Sequence, residues 1–217
     1  MDATEKYTSS PSGKYNSQED RTGIFYKPFF RQAFLLITIW VALLILRVPI
    51  LANANLFLNS DEAFMANHLV GSIKSGNFSL YYENMRYHGN FNAYLVLPLF
   101  LIMGFTALAF KLPAVLCYGL YVWTFYLLAK RYRKDIALTV AIFMVFCPPA
   151  ILELSTRSTL QIIIGIFGNV LFLLADQIIK KQRNNTNIFF LGLVVGFTTY
   201  VYSYSVIYVT TVLIILL

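Results

Sequence analysis

Two adjacent carboxylates, Asp61 and Glu62, stand out because they lie in a long polar stretch between strongly apolar runs. A carboxylate in a partly dehydrated site can act as a general base that takes the proton from an attacking hydroxyl group. Two acids are also favourable in the first turn of a helix, where they meet the positive end of the helix dipole. The spacing alone leaves both interpretations open, a catalytic pair and a simple helix start.

Five further residues in or after this stretch are candidates for binding an anionic or sugar-bearing substrate: Arg86, Tyr87, His88, Lys111 and Arg157. Arginine binds phosphate strongly because its guanidinium group forms two parallel hydrogen bonds. A solvated loop is the alternative for His88, and a basic anchor at a membrane surface is the alternative for Lys111 and Arg157. Arg157 could also simply pair with Glu153, four residues earlier.

The composition indicates the elements that must position these residues. The chain has 217 residues, of which 58% are hydrophobic and only 12% are charged. Soluble domains usually carry about 25% charged residues, so a disordered chain is excluded and a water-soluble globule is disfavoured. The fold class predicted is therefore all-α, a polytopic helical membrane protein. The net charge of +7 is interpreted as an orientation signal and not as a nucleic-acid surface.

Six apolar runs of membrane-spanning character are predicted, at about 33–52, 110–129, 136–152, 159–179, 188–203 and 205–217. Residues 1–32 read as a disordered cytoplasmic tail, and residues 53–109 as an extracytoplasmic loop. The run 93–110 is assigned to this loop as an interfacial helix, because 12 of the 17 basic residues then lie on the cytoplasmic side. The last run stops at Leu217 with no polar flank, so truncation of the chain is expected there.

An amphipathic helix is predicted to begin at the carboxylate pair. Asn59 is a good N-cap, and Glu62 stands at the reciprocal position of a capping box. Apolar residues then recur with helical spacing, and Gly76 provides a natural end. The apolar face consists of Ala66, Leu69, Val70 and Ile73.

The order of short motifs from residue 33 to residue 217 resembles the GT-C superfamily of membrane glycosyltransferases. It is most similar to the family 39-like group of protein mannosyltransferases and aminoarabinose transferases. The motifs that carry this resemblance follow one apolar span: Asp61-Glu62-Ala63, Gly76, Gly89, Tyr94-Leu95, Pro98, Gly104 and Lys111-Leu112-Pro113. Two positions depart from the family pattern. Lys111 stands where arginine is common. Gln161-Ile162 stand where the family often has an aspartate a few residues after the outer-face arginine, which is Arg157 here.

The resemblance implies two juxtamembrane helices in the first outer loop and an inverting sugar transfer at the extracytoplasmic face. The donor would be a polyprenyl-phosphate sugar, and the acceptor a lipid, a glycan or a protein. Asp61 matches the family's catalytic acid, with Glu62 beside it, and Lys111 or Arg157 would face the leaving phosphate. No metal ligands are assigned, although a divalent cation is left open. The membrane would be the cell membrane in a prokaryote and the endoplasmic reticulum in a eukaryote.

Two other functions remain open at this point. One is a transporter or a flippase component for a lipid-linked sugar, and the other is a polytopic membrane protein without chemistry. Transporters usually carry ionisable residues at mid-membrane within broken helices. The predicted spans contain few such residues, and Arg47 and Asp176 lie near span ends.

Overall fold

The computed structural model describes residues 21–82, 85–157, 160–180 and 185–217, and these are predominantly helical. The chain divides into two units, Met1–Leu35 and Leu36–Leu217. Residues 1–20 of the predicted tail lie outside the described residues. Helix α1 begins at Arg21, within the segment predicted as the tail. Extending an existing helix by one residue is far easier than starting one, so α1 continues beyond its apolar part.

Nine α-helices, two short 3-10 helices and one β-hairpin make up the described part of the chain. The helices are α1 Arg21–Ala52, α2 Ser60–Ser75, α3 Phe91–Met103, α4 Ala107–Tyr132, α5 Ala137–Val145, α6 Pro149–Leu154, α7 Leu160–Lys180, α8 Asn185–Val201 and α9 Val206–Leu216. The 3-10 helices are Ala54–Phe57 and Ser203–Ser205, and the strands are β1 Tyr81–Tyr82 and β2 Met85–Gly89. Within the described ranges, three segments are long and apolar enough to cross a membrane: Ala33–Ala52, Ala107–Tyr132 and Gln161–Lys180.

Helices α4 and α7 pack side by side and run in the same direction. Three contacts join α4 to α7, or to the turn before α7, at one sequence separation of 45: Lys111 with Thr156, Thr124 with Asn169, and Arg131 with Asp176. A constant separation means that the C-terminal ends of both helices lie together. We call the end with Lys111 the loop end and the opposite end the basic end. The basic end carries Lys130, Arg131, Arg133, Lys134 and Lys180.

The segment predicted as one span at 136–152 consists of two short helices. Helix α5 ends at Val145, and α6 begins at Pro149. Pro148 is extended, with a ψ angle of 157°. A proline lacks the backbone N–H that a helix needs and disfavours helical geometry in the residue before it. The tandem prolines therefore divide the run.

The predicted break near Ser203–Ser205 is confirmed, and a second break at Gly104 divides the run that was predicted as one interfacial helix. Gly104, with a φ angle of 75°, ends α3, and the Thr106 side chain caps α4 by accepting a bond from the Ala109 N–H. A positive φ angle is readily available only to glycine. The apolar run from 188 to 217 is interrupted by the 3-10 turn at Ser203–Ser205. Four apolar residues of α2 pack with α3 and the start of α4 around a core that includes Leu69, Val96 and Phe110.

A β-hairpin lies between α2 and α3, where the sequence indicated only a polar aromatic turn. Strands β1 and β2 are antiparallel, with Tyr81 opposite Gly89. The Tyr200 hydroxyl of α8 donates to the Leu80 carbonyl at 2.9 Å. A Cβ atom at Gly89 would come within 2.6 Å of the Tyr200 carbonyl oxygen, so glycine permits this close approach. The hairpin is thereby fixed to the C-terminal end of α8.

Candidate functional site

The N-terminus of α2 holds the carboxylate pair through a complete capping box, as predicted. The Asn59 side-chain oxygen accepts from the Glu62 N–H at 2.8 Å, and a Glu62 carboxylate oxygen accepts from the Asn59 N–H at 3.2 Å. Gly76, with a φ angle of 71°, ends the helix in the left-handed conformation. Reciprocal capping satisfies two backbone donors that a helix start leaves free. The first turn of α2 is therefore well defined.

Glu62 also forms a buried ion pair with Lys111 of α4. The Lys111 ammonium lies 3.0 Å and 2.9 Å from the two carboxylate oxygens, and each side chain is only 1% exposed. The Thr156 carbonyl oxygen, 3.5 Å away, is a third acceptor for the same ammonium. An ammonium group has three N–H donors, so all of them have partners. This pair connects α2, α4 and the turn before α7 at the loop end.

The burial of Glu62 and Lys111 differs from the expectation that both face substrate. A buried charge is tolerated when it is paired and hydrogen-bonded, and this pair meets that condition within the protein. Lys111 has no donor left for a leaving phosphate, and the Glu62 carboxylate is engaged by an ammonium and by a backbone N–H. Both side chains are therefore engaged within the protein, where they join α2 to α4.

Asp61 is the neighbour of this buried pair and is itself exposed. Successive residues of an α-helix point about 100° apart, so Glu62 can face inward while Asp61 faces outward. Asp61 has no hydrogen bond or ion pair with any residue that the structure describes. Asp61 is therefore an exposed carboxylate without a partner in the part of the chain that the structure describes, and it lies on a capped helix start directly beside a neutralised pair.

Arg157 lies on the same turn that accepts from Lys111. Its guanidinium group pairs with Glu153, and both side chains are well exposed at 41% and 62%. Pairing with Glu153 is the alternative to substrate binding that the sequence left open for Arg157. The backbone of Arg86, Tyr87 and His88 forms part of β2.

Arg47 is a residue whose importance the sequence analysis missed. It is fully buried at the loop end of α1 and donates to the Ser155 hydroxyl at 3.2 Å and to the Val145 carbonyl at 3.1 Å. It also contacts the Cys147 sulfur at 3.3 Å and lies 5.4 Å from the centre of the Tyr118 ring. A charge inside an apolar run was the available signal. Arg47 and Lys111 thus bind adjacent residues of one turn.

The described residues contain no group of three His, Cys, Asp or Glu side chains that could hold a metal ion. A small pocket, mainly apolar, lies between α3, α4 and α7 and is lined in part by Pro113, Cys117 and Ile163. One of its lining residues, Pro113, lies two residues after the buried Lys111 in the sequence.

Of the predicted site residues, the structure brings Glu62 and Lys111 into direct contact, with Asp61 next to them in the chain. Arg157 is one residue beyond Thr156, the third partner of Lys111. The three residues of β2 belong to the neighbouring hairpin. Comparisons of the chain with protein-family models, with characterised proteins and with solved structures returned no match.

Proposed function

We propose that the chain is a membrane glycosyltransferase module that moves a sugar from a polyprenyl-phosphate donor to an acceptor hydroxyl at the membrane surface. The observation that carries this proposal is the Asp61 carboxylate. It is exposed, has no partner among the described residues, and stands on a helix start fixed by a capping box and a buried ion pair. A general base needs such a defined position and free access to the acceptor.

The reaction is a displacement at the anomeric carbon of the donor sugar. The acceptor oxygen forms a bond to this carbon while its proton passes to Asp61. The bond between the anomeric carbon and the phosphate oxygen breaks, and polyprenyl phosphate leaves with the electron pair. The configuration at the anomeric carbon inverts, because attack and departure occur on opposite faces. A positioned base typically contributes about 10²–10⁴-fold to such a rate.

Arg157 is the residue that we assign to the leaving phosphate. Its present partner, Glu153, is exposed, and exposed ion pairs contribute little free energy. A phosphate group can therefore replace the carboxylate at small cost and form two parallel hydrogen bonds with the guanidinium group. Lys111 serves a different purpose in this proposal, since it holds Glu62 and with it the start of α2.

The distribution of basic residues supports an orientation with the loop end outside. Helices α4 and α7 both finish at the basic end, where Lys130, Arg131 and Lys180 are found. Cytoplasmic loops of membrane proteins carry an excess of lysine and arginine. We therefore assign the basic end to the cytoplasm and the loop with Asp61 to the extracytoplasmic face. The N-terminus is cytoplasmic in this orientation, and the chain crosses the membrane several times.

The transporter alternative is less well supported by the ionisable residues of the long helices. Arg47 donates to groups on α5 and at the end of α6, and Asp176 is held by Arg131 and Lys180. A transport pathway needs a charge that can exchange partners as the substrate passes. The non-catalytic alternative predicts that Asp61 can be replaced without any biochemical effect, and the experiment below tests this directly.

The test uses the full chain in membranes of its source, which contain the acceptor. Radiolabelled polyprenyl-phosphate hexoses and pentoses are supplied, and release of polyprenyl phosphate is measured together with transfer of label. Asp61→Asn should lower the rate by at least about 100-fold. Asp135→Asn is the matched control, because Asp135 is an exposed aspartate at the basic end. Equal rates in wild type and Asp61→Asn would overturn the proposal.

A further inference from the structure

The basic end of the α4–α7 pair brings together charges from two distant stretches of the chain. One stretch is the end of α4 with the turn that follows it, and the other is the end of α7. Asp176 joins them, because one of its carboxylate oxygens accepts from Arg131 at 2.6 Å and the other lies 2.8 Å from the Lys180 ammonium. Folding therefore gathers these cations on one surface, which an orientation signal in the sequence does not require.

This surface carries more positive than negative charge. Among its described residues, the five basic side chains of the basic end stand against two acidic ones, Asp135 and Asp176. The next four residues after Lys180 lie outside the described part of the chain, and their sequence adds Lys181 and Arg183 but no acid. A concentrated positive charge attracts anions to the surface that carries it.

The basic end also lies where two candidate membrane spans finish. The segments Ala107–Tyr132 and Gln161–Lys180 are long and apolar enough to cross a membrane, and both end here. The Lys130 ammonium lies 5.7 Å from the centre of the Tyr126 ring, one turn earlier in α4, and Tyr132 is exposed. Tyrosine and long basic side chains are favoured at the boundary between the hydrocarbon and water. These features indicate the depth of the lipid head groups.

Exposed apolar side chains next to the basic ones favour a lipid over a water-soluble anion. Ile136, after the basic turn, is 44% exposed, and Ile179, beside Lys180, is 56% exposed. A phospholipid has a phosphate group for the basic side chains and acyl chains that can cover the apolar ones. A soluble phosphate or an acidic peptide matches only the charge.

We propose that the basic end binds the phosphate group of an anionic phospholipid of the surrounding membrane. The guanidinium group of an arginine can form two parallel hydrogen bonds with a phosphate, and lysines add point charges. Clusters of basic residues at the cytoplasmic ends of membrane helices attract anionic lipids. In the orientation proposed above, the lipid lies in the cytoplasmic leaflet. The binding goes beyond sugar transfer and does not depend on it.

The first experiment compares two lipids that share a phosphate group but differ in net charge. The full chain, purified in a neutral detergent, is titrated with phosphatidylglycerol or with phosphatidylcholine, and bound lipid is counted by native mass spectrometry. Phosphatidylglycerol should bind at least about 10-fold more tightly, because several basic residues contribute. High salt should weaken this preference. Equal affinities for the two lipids would overturn the proposal.

The second experiment changes lysines that the ion pairs of the basic end do not use. These ion pairs involve Arg131, Arg133 and Lys180, so replacing Lys134 or Lys130 leaves them in place. Lys134→Gln should weaken binding of phosphatidylglycerol about fivefold, and adding Lys130→Gln should weaken it further. Lys74→Gln is the matched control, since Lys74 is an exposed lysine in the last turn of α2. An equal effect of Lys134→Gln and Lys74→Gln would contradict a site at the basic end.

The third experiment tests the lipid in a bilayer. A ligand that binds the folded chain raises its thermal midpoint, so nanodiscs of phosphatidylcholine with added phosphatidylglycerol should raise it by about 2–4 °C. The Lys130→Gln, Lys134→Gln double variant should lose most of this rise. A rise of the same size with inorganic phosphate in pure phosphatidylcholine nanodiscs would assign the surface to a soluble anion and overturn the lipid. Asp61→Asn should bind phosphatidylglycerol like wild type, so failure of the proposed base and failure of the lipid site are distinguishable.

Discussion

The two ends of the α4–α7 pair each carry an ion pair between a basic and an acidic side chain, in opposite surroundings. At the loop end, Lys111 and Glu62 are both 1% exposed. At the basic end, Arg133 and Asp135 are 65% and 63% exposed. In a second cluster at the basic end, a buried Asp176 binds Arg131 and Lys180, which are both partly exposed.

The buried charges hold the geometry of the helices, whereas the exposed charges favour solvation and orientation. Exposed ion pairs are screened by water and usually contribute between zero and about 1 kcal/mol. A buried pair contributes little compared with a well-packed apolar pair, yet removal of one partner is severely destabilising. The buried pair at the loop end is thus the place at which a single charge change should disturb the structure.

Lys111→Met should produce the largest loss of stability. It leaves the Glu62 carboxylate buried without its counter-ion, and such changes typically cost about 3–5 kcal/mol. The loss should appear as a lower midpoint for unfolding of the chain in nanodiscs.

Glu62→Gln combined with Lys111→Met is the matched control for this prediction. The double variant removes both charges, so it should recover a substantial part of the lost stability. If the double variant is less stable than Lys111→Met alone, burial of an unbalanced charge is not the cause of the effect.

Arg47→Met should cause the next largest loss, about 2–3 kcal/mol, because bonds from a charged group to buried acceptors disappear. The acceptors are the Val145 carbonyl, at the C-terminus of α5, and the Ser155 hydroxyl. Arg47→Lys keeps the charge but offers no planar fork of donors, so it should rescue only part of the stability. Complete rescue by lysine would contradict the importance of this geometry.

Arg133→Ala should have the smallest effect, with a thermal midpoint equal to that of wild type within error. Hydrogen bonding to Arg133 holds the pKa of Asp135 below its usual range. A lowered carboxyl pKa contributes stability above the unfolded pKa of about 4 and loses it as the pH falls further. Because this pair is fully exposed, acid titration of wild type and Arg133→Ala should give superimposable stability curves. A clear separation between the curves would contradict the comparison of the two ends.

Local features of the loop could be predicted from the sequence. The capping box at Asn59 and Glu62 and the helix end at Gly76 each depend on a few neighbouring residues. Capping chemistry and the freedom of glycine operate over this range, so the pattern of residue types is sufficient. The apolar face of α2 was predicted for the same reason, because helical periodicity repeats within two turns.

Contacts between distant residues could not be predicted in this way. Glu62 and Lys111 are 49 residues apart, and Arg47 and Ser155 are 108 apart. Each residue alone fits a helix start or a membrane anchor, and only the packing of α1, α2, α4 and α6 brings the partners together. The division at Pro148 and Pro149 is different. The two adjacent prolines indicated a break, but the strong hydropathy of the run favoured the prediction of a single span. The hairpin is short and has no two-residue turn signal of the usual type.

Asp61 is the proposed base, and the buried pair beside it is proposed to hold it in place. The most direct test measures polyprenyl phosphate release per folded molecule for Asp61→Asn and wild type, with the thermal midpoint measured on the same samples. The expected result is a loss of at least about 100-fold in rate with an unchanged midpoint. A rate within twofold of wild type at equal stability would contradict the claim.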